Sequence, residues 1–202
     1  MSQDPRYLEP YLAAIRRDGV GFRSLLWASE ATQAARFAAI ADVVDLTGKS
    51  ILDAGCGRAD LVEFLRARGI EYAHYVGMEA IESFAEVARE RCGHEREMIV
   101  RADFVRDPGR LYVGADVAVF CGSLNTLTTE EFYNSLKHGL AAATEGMVFN
   151  FLCSPLLAHA KHLTWHQASA VIDFLEPMAD YLLVRDKYLE GDCTIAVRKR
   201  PG

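Results

Sequence analysis

The residues best suited to chemistry stand where short apolar runs end. The run Ser50–Ala54, with Asp53 near its close, leads into Gly55-Cys56-Gly57-Arg58-Ala59-Asp60 and then a helical pattern. Tyr75–Met78 leads into Glu79-Ala80, Met98–Ala102 into Asp103-Phe104, and Asp116–Phe120 into Cys121-Gly122-Ser123-Leu124-Asn125. Gly55 and Gly57 let the backbone turn tightly and approach a ligand, and the following helix offers its first amides to a polar or anionic group. A dinucleotide fingerprint wants a third glycine where Asp60 stands, and an acid there would face a pyrophosphate. A ligand carrying a cationic amine suits Asp53 and Asp60 better. Glu79, 22 residues beyond Gly57, stands where a carboxylate accepts both hydroxyls of an unmodified ribose. Asp103 offers an acceptor for an exocyclic amine and Phe104 a face for a purine. Together these describe an adenosine site, with Cys121–Asn125 as a small polar floor where the ligand ends.

The elements that must position these residues alternate in period. Ser50–Ala54, Tyr75–Met78, Met98–Ala102, Asp116–Phe120 and Met147–Leu152 read as strands. Between them Leu61, Phe64 and Leu65 form one helical stripe, and Ile81, Phe84, Ala85 and Ala88 another. Thr128 with Glu131, and Thr164 with Gln167, make capping-box patterns ahead of two further helices, the last stopped by Pro177. Strands alternating with helices imply crossovers and a parallel sheet covered on both faces. Tyr181–Val184 and Cys193–Arg198 are too close for a crossover helix and form an antiparallel hairpin. The expected fold is therefore α/β and Rossmann-like: a seven-stranded, mostly parallel sheet with an antiparallel C-terminal hairpin and helices on both faces. Ahead of Gly48, helical spacing of Leu8, Leu12 and Ile15 and a second helix from about Ser29 to Val44 make an N-terminal helical cap. The chain thus divides into a cap over 1–47 and one compact cofactor-binding unit over 48–202.

The strand ends at Asp53, Glu79, Asp103 and Cys121, in that order, with a closing antiparallel hairpin, resemble the class I S-adenosylmethionine-dependent methyltransferases from about Gly48 to Arg198. The resemblance implies that Gly55, Cys56 and Gly57 cradle the methionine part of S-adenosyl-L-methionine (SAM), that Glu79 holds the ribose, and that Asp103 and Phe104 meet the adenine. Ala59 departs from the commonest family loop, which has a third glycine there. Trp27-Ala28-Ser29 with Gln33, Arg36 and Phe37 is similar to the preface of a widespread bacterial group of this class. That similarity implies a preface folded over the cofactor, with Trp27 or Arg36 reaching the site and Arg36 partnering the methionine carboxylate. Direct displacement at a sulfonium needs alignment and desolvation more than a catalytic motif. The Asn/Asp-Pro-Pro-aromatic signature of amino-group methylation of bases is replaced here by Cys121–Asn125.

Composition narrows the partners. Half of the 202 residues are apolar and a quarter charged, as in an ordinary packed protein, and the net charge of −6 argues against nucleic acid or an anionic membrane. The N-terminus lacks a basic flank and apolar run, so a cytoplasmic location is expected. Five cysteines without a C-x-x-C pair read as reduced packing thiols. His159, His162 and His166 share helical spacing, but the helix start at Thr164 breaks their face, and no metal site is expected. The segment Cys153–Trp165 reads instead as an acceptor loop in which a histidine suits a general base, so Asn150, His159 and His162 join the candidates for lining an acceptor pocket. The expected protein is a methyltransferase for a small-molecule acceptor, a monomer or homodimer. The alternatives are a NAD(P)-dependent oxidoreductase, disfavoured by Asp60 and the hairpin, and a cofactor-binding module without turnover.

Overall fold

Side chains alternate across a strand, so a strand buried on both faces must be apolar at every position. β4 (Val117–Phe120) meets that condition and β5 (Gly146–Leu152) meets it at every position but Asn150, both being buried throughout. In the computed structural model, which describes residues 4–158 and 160–200, they lie near the middle of one sheet. The remaining strands are β1 (Ser50–Ala54), β2 (His74–Glu79), β3 (Glu97–Arg101), β6 (Ala179–Arg185) and β7 (Asp192–Lys199). Among the described residues the order is β3-β2-β1-β4-β5-β7-β6. Neighbours among β1 to β5 pair in parallel, while β7 runs antiparallel to both β5 and β6. The terminal hairpin is present as expected, and it folds back so that the last strand inserts between β5 and β6.

Helices α1 (Glu9–Asp18), α2 (Glu30–Val43), α3 (Asp60–Ala67), α4 (Glu82–Arg91), α5 (Thr129–Ala142) and α6 (Ala168–Leu175) flank the sheet. On one face Leu52, Phe120, Phe149 and Phe151 pack against Phe132 and Leu136 of α5 and Val171 and Leu175 of α6. On the other, Ile51, Val119 and Val148 meet Phe37 and Ile40 of α2 and Leu61 and Leu65 of α3. The Thr128–Glu131 box is formed at the start of α5: the Thr128 hydroxyl accepts from the Glu131 N–H at 3.2 Å, and the Glu131 carboxylate from the Thr128 N–H at 2.7 Å. The Thr164–Gln167 box is not formed. The Thr164 N–H donates to the Asn125 carbonyl at 2.8 Å and that of His166 to the Leu152 carbonyl at 2.9 Å, which ties this segment to the ends of β4 and β5 and delays α6 to Ala168.

One buried ion pair joins the N-terminal helices to the C-terminal hairpin. Arg36 of α2 donates to Asp192 of β7 through Nε at 2.7 Å and through Nη2; Asp192 is fully buried and the Arg36 side chain 12 % exposed. The Tyr188 hydroxyl also donates to Asp192 and accepts from Thr194 at 2.8 Å. Removing one member of such a pair leaves an uncompensated buried charge, whereas replacing both with apolar groups can be nearly neutral. Asp192→Ala should therefore cost about 3–5 kcal/mol in urea unfolding, and Arg36→Met with Asp192→Leu should recover most of it. A loss below about 1 kcal/mol, the usual worth of an exposed pair, would show that the pair does not hold α2 to the hairpin.

Candidate functional site

Because β1 lies between β2 and β4, the chain leaving β1 turns to one side and the chain entering β4 returns on the other. Their loops part at the carboxyl edge, where open α/β sheets bind ligands. A cleft opens there. Every residue assigned from the sequence to cofactor binding lines it: Asp53, Gly55, Cys56, Gly57 and Asp60 after β1, Glu79 and Ala80 after β2, Asp103 and Phe104 after β3, Cys121, Gly122 and Asn125 after β4, and Trp27 and Arg36 from the N-terminal segment.

The loop after β1 is pinned rather than free. Gly55 and Cys56 N–H groups both donate to the Met78 carbonyl, at 2.8 and 3.0 Å. Gly55 has φ +79°, and a Cβ there would stand 2.4 Å from Cβ of Ser123, so this close approach admits only glycine. Ala59, where the resembled loop has glycine, also takes left-handed backbone at φ 59° as the N-cap of α3. Glu79 fastens the loop from the other side: one carboxylate oxygen accepts the Gly57 N–H at 2.9 Å, the other the Ile81 N–H at 2.8 Å.

The acids of the cleft differ in what neutralises them. Asp60 is held by Arg58 at 3.1 Å, by Arg91 and by Gln33 at 3.1 Å, so it presents little uncompensated charge to an amine; this corrects the pairing of Asp60 with Asp53 as the cation-facing acids. Asp53 is buried and accepts from the Tyr75 hydroxyl at 2.7 Å. Burial pushes Asp53 up to about 7, with the Asp60 charge adding to it, and burial likewise pushes Glu79 up to about 7 against its three backbone hydrogen bonds. Asp103 accepts the Tyr7 hydroxyl on both oxygens at 2.8 and 2.7 Å, and the Val105 and Arg106 N–H groups on one of them. The cleft thiols are buried: Cys56 rises well above the usual thiol range and Cys121 to about 12, which makes both poor nucleophiles at neutral pH.

Other expectations are displaced. Arg36 lines the cleft, but its guanidinium is committed to Asp192 and lies 5.0 Å from the Trp27 ring centre, so it is not a free partner for a carboxylate. Asn150 lies beneath the cleft, accepting the Gly122 N–H at 2.9 Å and donating to Cys121 Sγ at 3.4 Å. It therefore shapes the floor from below. His162 is half-buried outside the lining, to which its neighbour Leu163 contributes, and His159 lies outside the described residues. His166 is buried and stacks on Phe132 at 3.9 Å, away from the cleft. The lining that sequence reasoning missed includes much of the N-terminal segment: Tyr7, Leu8 and Tyr11, then Leu25 and Leu26. Tyr7 and Tyr11, one helical turn apart, were the available signal.

No protein-family model matches the chain, and no curated protein matches it either. Solved structures do. Magnesium protoporphyrin IX methyltransferase (ChlM) from Synechocystis PCC 6803 with bound SAM has a TM-score of 0.71 at 14% identity, over 98% of this chain and 99% of that one. The complex of DhpI with SAM and HEP has a TM-score of 0.72 at 10% identity, over 99% and 100%. The pyocyanin biosynthetic protein PhzM has a TM-score of 0.69 at 17% identity, over 94% of this chain and 62% of that one. At these identities the likeness establishes the fold, which this chain shares over nearly its whole length with structures solved around SAM.

Proposed function

We propose that this chain is a SAM-dependent methyltransferase acting on a small-molecule acceptor. The observation that carries the reading is the pair Asp53 and Glu79, two buried carboxylates without a cationic partner among the described residues, set against a glycine loop at the switch point of the sheet. Buried acids without a cation are costly, and a positively charged ligand relieves that cost. The residues fit SAM in detail. A Cβ at Gly55 or Gly57 would collide with Ser123 or Leu25, so the tightly packed loop that lines the place of the methionine part requires glycine at both positions. The Glu79 carboxylate accepts backbone N–H groups on both oxygens and retains acceptor capacity for the ribose hydroxyls. The Asp103 oxygen that accepts only Tyr7 keeps one for an exocyclic amine, beside the Phe104 ring.

When bound, SAM supplies a methyl group on a sulfonium already activated for displacement. The chain's own residues then bind, orient and exclude water: Asp53 and Glu79 draw positive charge into the cleft, and Tyr7 and Tyr11 close it from above. The similar structures support a small acceptor, since one is named as a methyltransferase of magnesium protoporphyrin IX and another as a pyocyanin biosynthetic protein. The helical segment over 1–47 serves in this reading as the cap of the site.

Calorimetric titration with SAM, its demethylated product S-adenosylhomocysteine (SAH) and NAD should show binding of the first two only; binding of NAD alone would overturn the assignment. Glu79→Ala should weaken SAH binding by about 1–3 kcal/mol through lost charged hydrogen bonds, and unchanged affinity would remove Glu79 from the ribose site. Because burial raises both acids to about 7 in the free protein, a cationic ligand that binds their ionised forms must displace protons. SAM affinity should accordingly rise between pH 6 and 8, with proton release measured by calorimetry in two buffers of different ionisation enthalpy. Proton uptake would contradict it.

A further inference from the structure

Beyond the adenosine and methionine residues, the lining of the cleft carries a different chemistry as well. Leu8, Tyr11, Leu26, Trp27, Leu127 and Leu163 give it apolar and aromatic surface. Trp27 is placed there by several constraints at once. Leu26, immediately before it, adopts left-handed backbone at φ 61°, a conformation that costs a non-glycine residue about 1 kcal/mol and persists only where the surroundings enforce it. Gly122, at φ +73°, leaves room for the indole: a Cβ there would stand 2.6 Å from its Cη2 atom. The Gly122 N–H is itself fixed by the buried Asn150. The Arg36 guanidinium stands 5.0 Å from the indole centre, locked by Asp192, and Phe37 meets the indole edge-on at 6.3 Å. An indole held this firmly, yet only half-buried and facing the cleft, is a ready-made stacking surface.

Charge selects what can stack there. The lining acids are Asp53, Asp60, Glu79 and Asp103; Asp60 is neutralised by Arg58 and Arg91, and the cation Arg36 is consumed by Asp192. The surplus is negative, so an anionic acceptor would enter against the field, unpaired.

We propose that Trp27 is the acceptor platform and specificity determinant of this site, and that the acceptor is a flat, uncharged ring system stacked on its indole. The proposal rests on the methyltransferase reading for its name of acceptor, but the ring-binding surface is testable separately. The chain has 2 tryptophans, and Trp165→Phe leaves Trp27 as the sole indole reporter. This variant is titrated, with and without SAH, with quinoline and 1-naphthol as neutral rings and 1-naphthoate as their anionic counterpart. The neutral rings should quench Trp27 saturably and bind at least about tenfold more tightly than naphthoate. By calorimetry, Trp27→Leu should weaken neutral-ring binding about tenfold, and Trp27→Phe, which keeps a ring, should recover most of the loss. Naphthoate binding as tightly as the neutral rings, no saturable neutral-ring binding, or ring affinity unaltered in Trp27→Leu would each overturn the proposal. Ring binding intact with no SAH binding would count against the cofactor reading alone.

Discussion

The structure depends on one topological constraint: β1 has β2 on one side and β4 on the other, so the chain segments at its carboxyl end must diverge. A gap is the unavoidable result, and each neighbouring strand delivers its next residue to the rim. Across that gap the Ser123 hydroxyl donates to the Ala54 carbonyl at 2.7 Å, while on the β2 and β3 side Glu79 accepts from Gly57 and Asp103 accepts from Tyr7. The same divergence explains why the loop after β1 is glycine-rich. Backbone N–H groups of Gly55 and Cys56 must reach the Met78 carbonyl while Ser123 crowds the space above.

The second organising fact is electrostatic. Outside the cleft, pairs such as Arg66 with Glu97, Lys49 with Glu145 and Arg185 with Asp42 match opposite charges. Deep in the cleft the pattern changes, and Asp53 and Glu79 are left buried without a cation among the described residues, their carboxyls raised by desolvation. A folded protein holds such groups at a cost to stability once they ionise, and binding a cationic ligand offsets that cost. Two left-handed non-glycine residues, Leu26 and Ala59, flank the same cleft, which is where stored backbone strain is expected to concentrate.

Much of this was legible in the sequence because strand ends carry a local signal. Glycines and acids after short apolar runs stand out, and the short spacing of the last two strands allows only a hairpin. What was not legible depended on the third dimension. β5 is buried on both faces, so its residues have no alternation from which to tell that Asn150 points beneath Gly122 rather than into the cleft. Asp60 reads as a free acid until Arg91, 31 residues away in the chain, is seen beside it. Thr164 has the residues of a helix cap, but its N–H is claimed by the Asn125 carbonyl. The tyrosines of the N-terminal segment reach the site only because that segment lies across β3 and β4, through Tyr7 to Asp103 and Arg6 to the Thr126 carbonyl, and no local pattern announces such long-range contacts.

The central claim is that the cleft at the β1–β4 divergence is an adenosine site read by strand-end carboxylates. The most direct measurement is a crystal structure of the protein grown with SAH. The account predicts both ribose hydroxyls on the Glu79 carboxylate, the adenine amine at Asp103, and the amino-acid end against Gly55 and Gly57. Ligand density elsewhere on the molecule, or a ribose turned away from Glu79, would contradict it.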